Sequence, residues 1–278
     1  MLTVIFSTYN SPDWLEKTLW GFHFQTFQDF EIIVADDGST PDTLARINRF
    51  EQQSGRQVKH VWQPDEGFRK TRILNKALLV AEGDYVVFTD GDCIPRNDFL
   101  ATHVQYREPS YFLSGGYFKL PLSASRAITV DDIKNGNAFD VEWLVERGLK
   151  KTHKALKLTA SGRKSKLLNR LTPTRASWNG HNASGWLADL IAVNGFDERM
   201  RYGGEDRELG ERLLNKGVKS KQIRYSAVCV HLEHARSYVE QEVRLFNGKI
   251  IENTKKNQIV VTSYGLDRHT FIDSAEAV

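Results

Sequence analysis

Asp90 and Asp92, separated only by Gly91, are the side chains in this sequence whose type and spacing point most directly to chemistry. Hard oxygen ligands two residues apart suit Mg²⁺ or Mn²⁺, and such an ion in turn holds a diphosphate. An acidic turn closing a strand has the same appearance, so the reading depends on what else converges there. The preceding run, Tyr85 to Phe88, is apolar and β-prone and is expected to be a buried central strand. It would deliver both aspartates to the carboxyl edge of a sheet, where open α/β folds bind ligands.

Other stretches must position that edge. Leu2 to Phe6 reads as a strand ending in Ser7-Thr8-Tyr9-Asn10, and Ser11-Pro12 opens a helix to about Phe24. Phe30 to Ala35 is a second strand, ending in Asp36-Asp37-Gly38-Ser39, and Thr40-Pro41 starts a helix to about Gln53. A third strand, Gln57 to Trp62, and a helix from Arg69 to Ala81 lead through Gly83 into the central strand. This alternation predicts parallel βαβ units with right-handed crossovers. The first, second and fourth strands all end in polar clusters, so three clusters share one edge. No GxGxxG follows the first strand and no GxxxxGK[ST] occurs, which removes the dinucleotide and P-loop fingerprints. Phosphate is then expected to be held by a metal and by cations such as Arg69.

The composition, 40% hydrophobic and 26% charged, is that of an ordinary soluble globular protein, and 278 residues is a length at which α/β enzymes are often one domain. No apolar window reaches membrane-spanning length, and the N-terminus enters a strand pattern without a signal peptide. Cys93 and Cys229 lack metal-site spacing, which predicts reduced thiols and a cytoplasmic setting. The net charge of +3 hides an asymmetry: residues 147–175 contain ten Lys or Arg and no acid, leaving 28 basic against 35 acidic residues elsewhere. Leu149, Leu156, Leu158, Leu167, Leu168 and Leu171 are interleaved with those cations. Such a stretch can lie on an anionic membrane surface. It lacks the aromatic residues of single-strand nucleic-acid binders, and its plainest alternative is a solvated helix or loop.

In the second half, Gly203-Gly204-Glu205-Asp206 opens a helix expected over Glu205 to Asn215, with Gly217 beyond its end. Acids in a first turn favour the helix dipole, so capping alone would explain them; the same place holds a carboxylate stiffly at the floor of a cleft. His231 follows the apolar strand Ala227 to Val230, with His234 three residues on. Asn179 to Ser184 is a polar loop before the helix-like run Trp186 to Val193. Val239, Val243, Phe246 and Ile250 predict that a helix within 236–256 packs on the body. The tail after about Thr262 carries no pattern.

Together STYN, FEIIVADDGS, EGFRKTRILNKAL and DGD resemble a family 2 glycosyltransferase of the GT-A fold. GHNASGWLADLIAVNGFDE and RYGGEDRELGERL resemble the C-terminal part shared by bacterial chondroitin-type polymerases and β-1,4-galactosyltransferases. Residues 120–175 match neither. The resemblance implies an α/β nucleotide-diphospho-sugar transferase with a mainly parallel central sheet and an inserted basic helical segment. Residues 1–110 would form the nucleotide-sugar half and 111–235 the acceptor-binding and catalytic half, with 147–175 inserted and 236–278 as C-terminal helix and tail. It implies that Ser7 and Asp37 meet the base, that Arg69 approaches the base or diphosphate, and that Asp90 sits near the ribose and the metal. Asp92 and His231 would ligate Mn²⁺ or Mg²⁺, with His234 as an alternative ligand. Asp206 would be the general base, with Glu205 binding acceptor hydroxyls or competing for that role. Asn182, Gly204, Tyr202, and Trp178 or Trp186, would line the donor and acceptor sugars.

The implied activity is inverting, metal-dependent transfer from a nucleotide sugar, with UDP preferred, to a glycan or lipid-linked glycan acceptor in bacterial surface polysaccharide or lipopolysaccharide synthesis. Its setting would be cytoplasmic, peripheral on the inner face of the plasma membrane, with no nucleic-acid partner. Two rival readings are a metal-dependent nucleotidyltransferase, whose glycine- and basic-rich first loop is replaced here by STYN, and a non-catalytic membrane-surface module carried by 147–175.

Overall fold

A computed structural model describes residues 1–234 and 241–269. Strands and helices alternate through the first third: β1 (Leu2–Thr8), α1 (Pro12–His23), β2 (Phe30–Asp36), α2 (Pro41–Ser54), β3 (Lys59–Trp62), α3 (Lys70–Leu79) and β4 (Tyr85–Asp90). Proline supplies a preset φ at the starts of α1 and α2, and Gly55, at φ +69°, closes α2 by donating its N–H to Glu51 O. Next come β5 (Cys93–Pro95), α4 (Phe99–Tyr106), β6 (Tyr111–Ser114) and β7 (Gly116–Lys119). Short helices follow, α5 (Leu122–Ala127), α6 (Val130–Asn135) and α7 (Val141–Glu146), and then α8 (Leu156–Thr159) and α9 (Gly162–Leu171) within the basic region. The chain then forms β8 (Ala183–Trp186), α10 (Leu187–Ala192), α11 (Glu205–Asn215), β9 (Lys219–Gln222), β10 (Val228–His231) and α12 (Gln241–Lys256).

The central sheet has the order β3-β2-β1-β4-β8-β6-β9. β1 to β4 are parallel, as the alternation predicts, and β8 runs antiparallel to both β4 and β6. Its strands are apolar on both faces because helices cover both. Val4, Phe6, Ile32, Val34 and Val87 pack on one face with Leu15, Leu19 and Phe50 of α1 and α2. Ile5, Ile33, Val86 and Phe88 pack on the other with Ile73, Leu74 and Ala77 of α3 and Leu209 of α11. A second sheet, β5-β10-β7, continues from the end of β4 and places His231 opposite Cys93, one residue after Asp92.

Three expectations change. The run from Trp186 is helical only from Leu187, because Ala183–Trp186 completes the sheet between β4 and β6; Gly185 fits there since a Cβ would lie 3.1 Å from the Trp178 ring. α12 packs on the body with Ile250 buried as expected, joined by Asn247 and Thr254, whereas Phe246 is half exposed and Val239 lies outside the described residues. Residues 263–269 are anchored: Leu266 is buried, and Asn194 donates to Thr262 O at 2.8 Å and to Asp267 Oδ1 at 2.8 Å. Among the described residues no helix is long and apolar enough to cross a membrane.

Candidate active site

The carboxyl ends of β1, β2 and β4 open onto one cleft of about 640 Å³. Ser7, Thr8, Tyr9, Asn10, Asp37, Asp90 and Asp92 line it, so the three polar clusters do share an edge. β1 and β4 pair in register, Ser7 opposite Asp90, and Ser7 Oγ donates to Asp90 Oδ1 at 2.7 Å. Asp37 is nearly buried and accepts from Gln63 Nε2 at 2.7 Å and from the Arg69 N–H at 2.8 Å. Burial, only partly offset by those donors, raises its pKa.

Lys70 lines the cleft, as does Arg201, whereas Arg69 does not. Arg69 is the N-cap of α3 and gives its backbone N–H to Asp37, whereas Lys70 starts the helix on the face that carries Ile73, Leu74 and Ala77 inward. Lys70 Nζ donates to Asp90 Oδ1 at 2.8 Å. Burial opposes the Lys70 charge, but Asp90, Asp206 and Glu205 outweigh it and hold its pKa well above the ordinary lysine value. Burial likewise pushes Asp90 up, and Lys70 more than reverses this, leaving Asp90 well below the usual carboxylate range.

The start of α11, bounded as the sequence predicts, lies close enough to Lys70 for Asp206 and Glu205 to act on its charge. Gly203 and Gly204 have φ of +105° and +100°, the left-handed region that glycine enters without a Cβ penalty. Glu205 is buried, and its Oε2 accepts from the Gly203 N–H at 2.8 Å, so it braces the loop. Asn247 of α12 clamps the same loop from outside, donating to Arg201 O and Gly203 O, each at 2.9 Å. Asp206 Oδ1 is buried without a hydrogen-bond partner among the described residues. Burial, opposed mainly by Lys70 and reinforced by Glu205 and Asp90, pushes the Asp206 pKa up to about 7. Gly180 leaves room for both groups: a Cβ would sit 2.7 Å from Asp206 Oδ2 and 2.9 Å from Lys70 Nζ, so a side chain there would displace them.

Asp92, His231 and His234 form the candidate metal centre. His231 Nε2 lies 3.4 Å and His234 Nε2 2.9 Å from Asp92 Oδ2, and one ligand atom from each lies within 4.8 Å of the others. One carboxylate and two imidazole nitrogens converging at that distance match the donor set of a borderline divalent ion. The sequence weighed His231 against His234, and the fold brings both. His181, which the sequence did not single out, lies nearby with its ring centroid 4.5 Å from that of Tyr117. Burial holds its pKa down to about 4, so it is a neutral imidazole at physiological pH.

Several sugar-site expectations move. Trp178 is 1% exposed and packs in the core between Phe88 and Phe112, so it presents no face to the cleft. Trp186 sits opposite Tyr85, at the start of β4, because β8 runs antiparallel and carries it to the other edge of the sheet. Asn182 is buried and structural, joining Gly116 O and Ala227 O to His103 at 2.9–3.0 Å. Tyr202 does line the cleft, meeting Phe68 edge-to-face at 5.7 Å between ring centroids.

The family model for glycosyl transferase family 2 matches residues 3–111, the part that holds β1 to β4 and the cleft aspartates Asp37, Asp90 and Asp92. A second model, described as the N-terminal domain of galactosyltransferase, matches residues 177–235, from Trp178 through His234. Residues 3–111 are a glycosyltransferase family 2 domain. Chondroitin synthase of Pasteurella multocida is 29% identical over 242 residues, 78% of this chain and 23% of that protein. The curated relatives it matches include longer proteins, and the chain spans 23–64% of the length of six of them. The GT-A fold is shared with S. aureus TarS 1–349 in complex with UDP-GlcNAc (TM-score 0.62, 18% identity, 93% of this chain and 70% of that one). It is also shared with the mannosyltransferase PcManGT of Pyrobaculum calidifontis in complex with GDP-Man and Mn²⁺ (TM-score 0.59, 22% identity, 85% and 58%).

Proposed function

We propose that the chain moves a hexosyl or hexosaminyl group from a nucleoside diphosphate sugar, UDP preferred, to a glycan hydroxyl with inversion at the anomeric carbon. The observation that carries this reading is the placement of carboxylates around Lys70. Lys70 Nζ donates to Asp90 Oδ1, next to Asp92 and its two histidines, and Asp206, whose Oδ1 has no hydrogen-bond partner among the described residues and whose pKa is raised to about 7, is another carboxylate acting on the same ammonium.

Ser7 and Asp37 are assigned to the nucleoside. Asp92, His231 and His234 are assigned to a divalent metal, Mn²⁺ favoured by the two nitrogen ligands. An ion held there would supply charge compensation for the departing diphosphate. Lys70 adds a fixed positive charge beside the same leaving group. Asp206 accepts the acceptor hydroxyl's proton as its oxygen attacks from the face opposite the leaving group; one carboxylate base without a protein nucleophile accounts for inversion. Glu205 and the two glycines set the position of that base, and Tyr202 with Phe68 gives the sugar an aromatic wall.

The acceptor is read as a growing glycan, free or lipid-linked, of a surface polysaccharide or lipopolysaccharide, in keeping with the likeness to a chondroitin synthase. The buried thiols Cys93 and Cys229 suit a reducing compartment, and the basic segment suits the cytoplasmic face of a membrane.

A thermal-shift panel of nucleotide sugars with and without Mn²⁺ tests the donor assignment. UDP-sugars should raise Tm more with Mn²⁺ than without it. Asp92→Ala should weaken UDP binding only when Mn²⁺ is present; an equal loss in EDTA would remove Asp92 from the metal role.

A further inference from the structure

α9 wears its amphipathic pattern inside out. Its inward side is polar: Asn169 Nδ2 donates to Ser226 Oγ at 2.8 Å, the Tyr225 N–H donates to Asn169 Oδ1 at 2.9 Å, and Ser226 Oγ donates to Ser165 Oγ at 3.1 Å. Gln222 Nε2 adds bonds to Asn169 O and Thr172 O, each at 2.9 Å. Its outward side carries the apolar residues instead, Leu167 at 55% and Leu171 at 66% exposure. These two are one turn apart and so adjacent, with exposed Arg163 and Arg170 on one flank and exposed Lys164 on the other.

A surface helix that needed only to fold would turn its leucines inward and its amides outward. Core packing therefore does not account for this face. The leucines of the segment divide accordingly: Leu158 is buried, Leu149 packs at the core edge, and only Leu167 and Leu171 are strongly exposed. No acid occurs between Arg147 and Arg175 to neutralise the surrounding cations.

We infer that the outward face of α9 docks on anionic lipid, with Leu167 and Leu171 entering the boundary between headgroups and acyl chains and the arginines and lysines held at the phosphates. Cations flanking an apolar pair are the arrangement by which an interfacial helix lies in the plane of a membrane. A nucleic-acid backbone would use the cations but leave both leucines in water, and the helix offers no aromatic ring for a base. The inference rests on the membrane-surface part of the proposed function, and vesicle binding is read apart from sugar transfer so that either can fail alone.

Co-sedimentation of the full chain tests it, using vesicles of phosphatidylcholine alone or mixed one to one with phosphatidylglycerol. Binding is expected to the mixed vesicles only. Leu167→Gln with Leu171→Gln should lower the partition coefficient roughly tenfold and make the remaining binding more salt-sensitive. Arg163→Gln, Lys166→Gln and Arg170→Gln together should lower it roughly 100-fold. Transfer to a soluble acceptor and Tm should be unchanged in both variants, since every substituted side chain faces solvent. Equal binding to neutral vesicles, wild-type binding by the leucine variant, or binding to single-stranded RNA in place of the mixed vesicles would each overturn the inference.

Discussion

Asp206→Asn should retain donor binding while lowering the rate of sugar transfer by roughly 10²–10⁴-fold, the range a positioned general base contributes. The amide keeps the shape of the carboxylate but cannot take the acceptor proton. The pH profile makes the assignment specific. A base with a pKa of about 7 must be deprotonated to act, so the wild-type rate should rise with pH to a plateau above that value. In the variant, the limb should vanish along with the rate. Stability should move the other way. The native pKa lies above the ordinary carboxylate value, so protonation favours the fold: this stabilising contribution is complete below about pH 4 and is lost as pH rises through about 7. A neutral amide escapes that loss, and Asp206→Asn should melt at or above the wild-type temperature at pH 8. Differential scanning calorimetry beside single-turnover kinetics measures both signs on one preparation.

Lys70→Met should be the most damaging substitution within the cleft. It leaves Asp90, Asp206 and Glu205 close together without the ammonium that offsets their charge. Breaking a fully buried pair costs about 3–5 kcal/mol, and because Asp90 is partly exposed a loss of roughly 2–3 kcal/mol is expected here. The sign follows from Asp90, whose native pKa is depressed. Its contribution is present above its unfolded pKa and is lost as pH falls below that value toward the native one, so the stability gap between variant and wild type should narrow in acid. Lys70 is also the chief influence lowering the Asp206 pKa. Without it the activity limb should move above pH 7, while transfer at pH 7 falls by at least roughly 100-fold from loss of charge compensation at the leaving group. Urea unfolding at pH 3 and pH 7, with a pH–rate profile, checks all three expectations; an unmoved limb would separate Lys70 from the base.

Much of this was legible because strand periodicity is strong where a sheet is buried on both faces. β1, β2 and β4 each end in a polar cluster, and parallel strands bring such ends to one edge whatever the intervening helices do. The GGED helix was equally plain, since two glycines followed by acids fix both a backbone turn and a helix start. What failed was one-residue phase and strand direction. Arg69 and Lys70 are chemically alike in sequence, and only the inward face set by Ile73 and Leu74 separates them. Trp178 and Trp186 look like sugar platforms until β8 is placed antiparallel beside β4, which sends one into the core and the other to the far edge. Asn182 reads as a polar loop residue, but its amide is spent joining two backbone carbonyls to His103. The clamp by Asn247 was out of reach: a buried asparagine between apolar helical positions gives no signal until α12 is laid against the glycine loop.

The central claim is that the Asp92, His231 and His234 side chains hold the cation that fixes a diphosphate opposite Asp206. Anomalous diffraction at the manganese edge, from crystals equilibrated with Mn²⁺ and UDP at saturating concentrations, tests it most directly. The account predicts a single strong peak bonded to those three side chains, with the diphosphate beside it on the cleft side facing Asp206. A cleft without that peak, or UDP bound away from Asp92, would contradict it.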